Sequence, residues 1–392
     1  MITSPLGFRA GAVAAGIKPG RLDLALLVAD APCAAAGVFT SNRAQAAPVL
    51  VSREHLAGGR ARAVVVNAGC ANAATGPRGL ADAREMAAAA ATAVSCEARE
   101  VVVASTGVIG VLLPMEKVRA GIAEAAAALS VEGGAAAARA IMTTDTRPKE
   151  VRVDVPLGRA TAVVGGMAKG AGMIAPDMAT LLAFFTTDAR VPADLLQRAL
   201  REAVGDTLNR ITVDGETSTN DCAVALASGA REGAEVAEGG TFNAFRRGLA
   251  EAAVRLAEML LRDGEGVTRV AEVHVEGART AADADRIARV VAESPLVKTA
   301  LHGGDPNWGR ILAAVGRAGV ALDPGRISIW IGDVWVCEDG AARDYAEAEA
   351  ARAMTGDPVR FRIRLGEGDA HGCVWTSDLS RGYVDINAHY RS

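Results

Sequence analysis

The 392-residue chain reads as an α+β protein, with helices packed in layers on sheets. Two observations predict this. Short β-branched runs alternate with alanine-rich amphipathic stretches along the whole length, the pattern of a mixed fold. Several strand candidates are also immediate neighbours joined by turns, as in VRVDVPLGRATAVVGG (residues 151–166) around Pro156-Leu157-Gly158, which argues against a strictly alternating parallel sheet. The length exceeds that of a usual single domain, so two domains, or one large domain of two layered lobes, are expected. Composition marks no sharp boundary, and neither a repeat nor a long low-complexity linker is present.

In chain order, strands are expected in RLDLALLVAD, ARAVVVNAG, EVVVASTG, VRVDVP, ATAVVGG, TLLAFFTTDA, RITVDG, VTRVAEVHVEG, RISIWIGDVWV, VRFRIRLG and GCVWTSDLS. Helices are expected over residues 80–98, 114–129, 133–142, 193–208, 242–263, 280–294, 308–319 and 345–354. The helix from Phe242 has the clearest period, with Phe245, Leu249, Val254, Leu256, Leu260 and Leu261 close to one face.

Hydrophobic residues make up 50% and charged residues 22%, with a formal net charge of -4. No basic block or interleaved aromatic platform suits a polyphosphate backbone, so no nucleic-acid partner is expected. The N-terminus lacks the basic and apolar regions of a signal peptide, and charges cut the longest apolar runs short of a membrane span. A cytoplasmic address without membrane contact is the expectation. Six cysteines without a CxxC pair read as buried free thiols. The five histidines show no metal spacing, so no metal ligands are assigned.

The segment GGMAKGAGMIAPDMATLLAFF (165–185) carries the chemical question. Gly170, Gly172 and Ala175 mimic a dinucleotide fingerprint, but that motif requires a helix to follow at once. Here Pro176-Asp177 and a strand-like run follow instead. Lys169 is not followed by the Ser or Thr of a phosphate loop. Two readings stay open: a long hairpin loop with a threonine starting a strand, or a processing site. Cleavage between Ala179 and Thr180 would expose a threonine whose own α-amine, of ordinary pKa about 7.7 to 8.0, can take the proton from its hydroxyl.

The segment KGAGMIAPDMATLLAFFTTDA resembles the processing segment of the ornithine acetyltransferase family, also called bifunctional glutamate N-acetyltransferase/amino-acid acetyltransferase. The likeness continues in order through NAGCANAATG (67–76), STGVIGVLLPMEKV (105–118), IMTTDTRPKE (141–150), NRITVDGETSTND (209–221), GDPNWGRILAAVGRAG (304–319) and DINAHYRS at the C-terminus. The resemblance implies a layered αββα-type sandwich with a second α/β lobe, and self-cleavage into an α chain 1–179 and a β chain 180–392. The two would assemble as an α2β2 heterotetramer. It further implies that Thr180 takes the acetyl group of N-acetylornithine and passes it to glutamate, in arginine biosynthesis. No bound cofactor is implied; acetyl-CoA as a second acetyl donor stays open. A related self-processing amidase or aminopeptidase, in which water resolves the acyl-enzyme, is the alternative.

By the same resemblance Thr106-Gly107 would stabilise the oxyanion, and Lys169 would meet the substrate α-carboxylate. Glu265 would suit an ammonium or order the threonine amine, Thr143 or Thr146 would supply a hydroxyl, and Asn387 and Ser392 complete the substrate set. Asn67 and Asn72 are expected to order loops near the oxyanion site. Asp214 and Glu216 read as turn residues, and the segment 304–310 as the start of a helix with a structural or subunit-contact role. Position 70 departs from the family pattern, with Cys where many relatives carry Asn.

Overall fold

The computed structural model describes residues 1–175 and 181–389. The N-terminal part runs β1 (Phe8–Val13), β2 (Leu24–Phe39), α1 (Ala47–His55), β3 (Arg60–Cys70), α2 (Gly76–Val94), β4 (Val101–Val108), α3 (Met115–Ala127) and α4 (Gly134–Ala140). Then follow β5 (Lys149–Leu157), β6 (Ala160–Lys169), β7 (Leu182–Thr187), α5 (Ala193–Asp206), β8 (Ile211–Thr212), β9 (Cys222–Ala227) and α6 (Gly240–Arg262). The remainder is β10 (Val270–Ala278), α7 (Ala281–Ala292), α8 (Pro295–Gly303), α9 (Trp308–Gly316), β11 (Ser328–Ile331), β12 (Val334–Glu338), β13 (Ala341–Ala342), α10 (Glu347–Ala353), β14 (Val359–Arg364), β15 (Ala370–Ser377) and α11 (Arg381–His389).

These elements form two mixed sheets with helices layered on them, the α+β arrangement expected from the strand pairs. The first sheet has the order β4-β3-β2-β9-β7-β6-β5, with β1 added on β2. The second has the order β13-β12-β11-β14-β10-β15-β8. The β5–β6 hairpin forms where the sequence indicates, turning at Gly158 with φ +65°, a left-handed conformation that glycine adopts without a Cβ penalty.

The centre of the first sheet is buried on both faces, while its edge strand β5 alternates buried and exposed residues. Along β7, Ala183 and Phe185 join the core made with α5 and α6, while Leu182 and Phe184 join the opposite core, beside α4. The half of the sheet built from β2, β3 and β4 packs Leu26, Val65 and Val103 against α2 and α3. Helix α6 inserts Phe245, Leu249, Leu256 and Leu260, all 1% exposed or less, and burial of each such side chain contributes roughly 1.5–3 kcal/mol. The second sheet is covered on one face by α7, α9 and α10, through Ile287, Ile311 and Ala350 on Val273, Ile329 and Phe361. Its other face carries Arg360, Arg362 and Arg364 to solvent.

The expected division at 179/180 separates the chain but not the layers. Strands β7 and β9, which follow residue 180, lie between β2 and β6, which precede it. Two pieces cut there would still share the centre of one sheet, through the β6–β7 and β2–β9 ladders. The second sheet is built wholly from residues after the division. Among the described residues, no helix is long and apolar enough to cross a membrane.

Candidate active site

The first sheet directs a set of polar side chains into one cleft of about 570 Å³, part of it open to solvent. Strand β6 ends at Lys169, which pairs in register with Leu182 at the start of β7. The chain that leaves the sheet at Lys169 therefore re-enters it beside that lysine. Lys169 is 2% exposed, not the solvated loop lysine that its glycine-rich setting suggests. Its Nζ donates to Thr106 Oγ1 at 2.9 Å. Burial pushes the ammonium below its ordinary pKa, with Lys149 adding to the effect and the carboxylates of Asp145, Asp221 and Glu265 opposing it.

Thr106 and Gly107 lie near the C-terminal end of β4, and both line the cleft. Gly107 has φ +129°, and a Cβ there would meet the backbone carbon of Gly69 at 2.3 Å. Only glycine allows β3 and β4 to approach this closely where the parallel ladder slips by a bulge. Asn67 and Ser105 brace the same bend: Ser105 Oγ donates to Asn67 Oδ1 at 2.6 Å, and Asn67 Nδ2 donates to the Cys70 carbonyl at 2.8 Å. Asn72, with φ +49°, closes the next turn by donating to the Gly79 carbonyl. Cys70 is buried, and burial raises its thiol pKa. Its Sγ meets the Val111 carbonyl, so it faces the strand-ending turn.

The far wall comes from the turn after α6 and from α11. Glu265 is 8% exposed, and its Oε2 accepts from Asn387 Nδ2 at 2.8 Å. Gly172 makes room for it: a Cβ at that position would stand 2.3 Å from Glu265 Oε2. Helix α11 is held in place through Tyr383, whose hydroxyl donates to Asp214 at 3.1 Å. Asp214 also accepts from the backbone N–H groups of Met173 and Ile174, at 2.6 and 2.9 Å. Read in the sequence as a turn residue, it therefore anchors the chain just before the candidate processing segment.

Of the two threonines left open, Thr143 lines the cleft and Thr146 does not. The Thr146 hydroxyl is engaged by Asp263 instead. Beneath them Lys149 is fully buried and bridges Asp145 and Asp263, at 2.6 Å to each. Asp145 also accepts the Gly170 N–H at 2.7 Å. Burial would raise the Asp145 pKa, but the Lys169 and Lys149 ammoniums and the Gly170 N–H hold it at about 2.

Among the lining residues that sequence reasoning missed are Ser218 and Asn220. Asn220 Nδ2 donates to the carbonyls of Ala71 and Ser105, at 2.6 and 2.9 Å, and so ties the segment before β9 to the ends of β3 and β4. No local signal marks that role, because its partners lie more than a hundred residues away. The structure thus brings Thr106, Gly107, Thr143, Lys169, Glu265 and Asn387 to one cleft. Ala179, Thr180 and Ser392 lie outside the described residues. The helix start at Asn307 forms as read, its side chain accepting from the Arg310 N–H, and 304–310 contributes nothing to the cleft.

Comparison with known proteins gives the chain's family. Residues 9–392 match the ArgJ family. The arginine biosynthesis bifunctional protein ArgJ of Symbiobacterium thermophilum is 49% identical over 395 residues, covering 100% of this chain and 98% of its own. That of Dehalococcoides mccartyi is 47% identical, covering 99% and 96%. Among solved structures, the ArgJ chain of Bacillus halodurans matches with a TM-score of 0.51 and 40% identity, over 53% of this chain and 99% of its own. The protein therefore belongs to the ArgJ family and, with it, is an acetyltransferase enzyme of arginine biosynthesis.

Proposed function

We propose that this chain cleaves itself before Thr180 and then uses that threonine to move an acetyl group from N-acetylornithine to glutamate. The observation that carries the reading is the cleft itself: a buried lysine, a Thr-Gly strand end and a Glu–Asn pair converge where β6 leaves and β7 begins. The Bacillus halodurans chain adds support. It matches over nearly its whole length yet spans 53% of this protein, and residues 180–392 are 213 of the 392, or 54%.

In this cycle the free α-amine of Thr180 takes the proton of its own hydroxyl as the oxygen attacks the acetyl carbonyl of N-acetylornithine. The oxyanion that develops is met at Thr106-Gly107, and preorganised donors at such a site act on the transition state more than on the ground state. The C–N bond then breaks, the amine of ornithine leaves with the proton, and an acetyl ester remains on Thr180. The glutamate amine attacks that ester, regenerating the hydroxyl and releasing N-acetylglutamate. Lys169 supplies a cation for the α-carboxylate of either amino acid, Glu265 pairs with an ammonium, and Asn387 orients Glu265. The hydrogen bond from Lys169 to Thr106 couples substrate binding to the oxyanion residue.

We further infer an α2β2 assembly in the cytoplasm without a bound cofactor. The deciding experiment supplies purified enzyme with N-acetylornithine plus glutamate, and separately with acetyl-CoA plus glutamate. Production of N-acetylglutamate in the first mixture is expected. Release of free acetate without N-acetylglutamate would replace the reading with a hydrolase, and activity in the second mixture would add acetyl-CoA as donor.

A further inference from the structure

Glu272 and His274 alternate along β10 with the buried Ala271, Val273 and Val275, so both project from the sheet face opposite α7. The antiparallel register places Cys373 of β15 directly beside His274. Three donor atoms of different chemistry meet there. Glu272 Oε1 and His274 Nε2 are 2.8 Å apart, and Cys373 Sγ lies 3.7 Å from each.

That triangle is close to one face of a metal tetrahedron. A Zn²⁺ ion with bonds of about 2.0–2.3 Å holds its ligand atoms about 3.4–3.6 Å apart. The two sulfur edges already agree to within about 0.3 Å, and the third must open by about 0.6 Å. The His274 side chain is 46% exposed and can supply that movement. Arg360 lies on the other oxygen of Glu272, at 3.7 Å, which leaves Oε1 directed at the trio.

The donor set also selects the cation. Thiolate, imidazole and carboxylate together suit a borderline-soft divalent ion and not Mg²⁺ or Ca²⁺. Without one, burial and the Glu272 carboxylate push the Cys373 thiol up to about 12; a dication at the same point reverses that penalty.

We propose that Glu272, His274 and Cys373 form a binding site for Zn²⁺, or for Co²⁺ in its place, with a fourth position open to water. Binding displaces waters from the aquated ion and the thiol proton from Cys373, which goes to solvent, as the metal–sulfur bond forms. The ion ties β10 to β15. None of the three residues lines the catalytic cleft, so acetyl transfer does not depend on it.

The test is titration of untagged, full-length protein with CoCl₂, followed by the thiolate-to-cobalt charge-transfer absorption in the near ultraviolet and by competition with ZnCl₂. One equivalent of Co²⁺ is expected to produce the band in the native chain, and Zn²⁺ to abolish it. Cys373→Ser should remove the band while leaving acetyl transfer unchanged. His274→Ala, at a half-exposed position that folding tolerates, should weaken Co²⁺ binding at least about tenfold. No band in the native chain, a full band in Cys373→Ser, or unchanged affinity in His274→Ala would each overturn the site.

Discussion

The two sheets use the same strand geometry for opposite ends. In the second sheet β14 alternates strictly, with Val359, Phe361 and Ile363 buried and Arg360, Arg362 and Arg364 exposed. In the first, β7 and β9 are buried at every position. A strand enclosed on both faces has no solvent to hydrate a polar side chain, so each polar group at its end must find a partner within the protein. That is where Lys169, Thr106, Asn220 and Asp145 meet. The chemistry thus gathers where the backbone is most enclosed, and the half-exposed sheet serves as a frame. A desolvated site strengthens every interaction aimed at a developing charge.

Substitutions that break this contrast should differ in size. The largest loss is expected for Lys149→Met, which removes the buried ammonium that bridges Asp145 and Asp263. Breaking such a pair costs about 3–5 kcal/mol, measurable by chemical denaturation. The same network has a pH signature. The Asp145 carboxyl sits at about 2 in the folded chain, below the roughly 3.9 of an unfolded aspartate. Its stabilisation is complete above about pH 4 and is lost as pH falls through about 2. Denaturation midpoints that stay flat across that window would remove the account of Asp145.

Next in size is Gly107→Ala. The added methyl group would overlap the Gly69 backbone and distort the Thr-Gly strand end, and loss of one oxyanion donor lowers kcat by about 10²–10³. An unchanged kcat would exclude Thr106-Gly107 from the reaction. Lys169→Ala should then raise the KM of the amino-acid substrates about tenfold or more, equivalent to roughly 1.4 kcal/mol; an unaltered KM would end its carboxylate role. The smallest effect belongs to the frame. Arg362 stands over the Trp330 ring at 4.1 Å, and Arg362→Ala should cost about 0.5–1 kcal/mol of stability with acetyl transfer intact.

Much of this contrast is legible in the sequence, and its gaps have physical causes. Strands β5 and β14 announce themselves because one of their faces is wet, and β10 because its buried residues alternate with half-buried ones. Strand β9, CAVALA, and the second half of β2, APCAAAGVF, do not: each is alanine-rich with a single β-branched side chain, β9 is buried on both faces and so carries no period, and β2 is broken up by Pro32 and Gly37. Within the site, Lys169, Glu265 and Asn387 are readable only through motif resemblance. Lys149 lies inside a recognised motif yet gives no sign that it is buried between two aspartates. The Glu272–His274–Cys373 trio escapes for a different reason: two donors share a strand at spacing two, and the third arrives from a strand about a hundred residues on, so no linear ligand spacing exists.

The central claim is that Thr180 carries the acetyl group. The most direct measurement is intact and peptide mass spectrometry of purified enzyme, incubated with N-acetylornithine in the absence of glutamate and quenched in acid. The account predicts two chains, the second beginning at Thr180 and bearing one added acetyl group that disappears when glutamate is supplied. A single uncleaved chain that still transfers acetyl groups, or an acetyl group on any other residue, would contradict it.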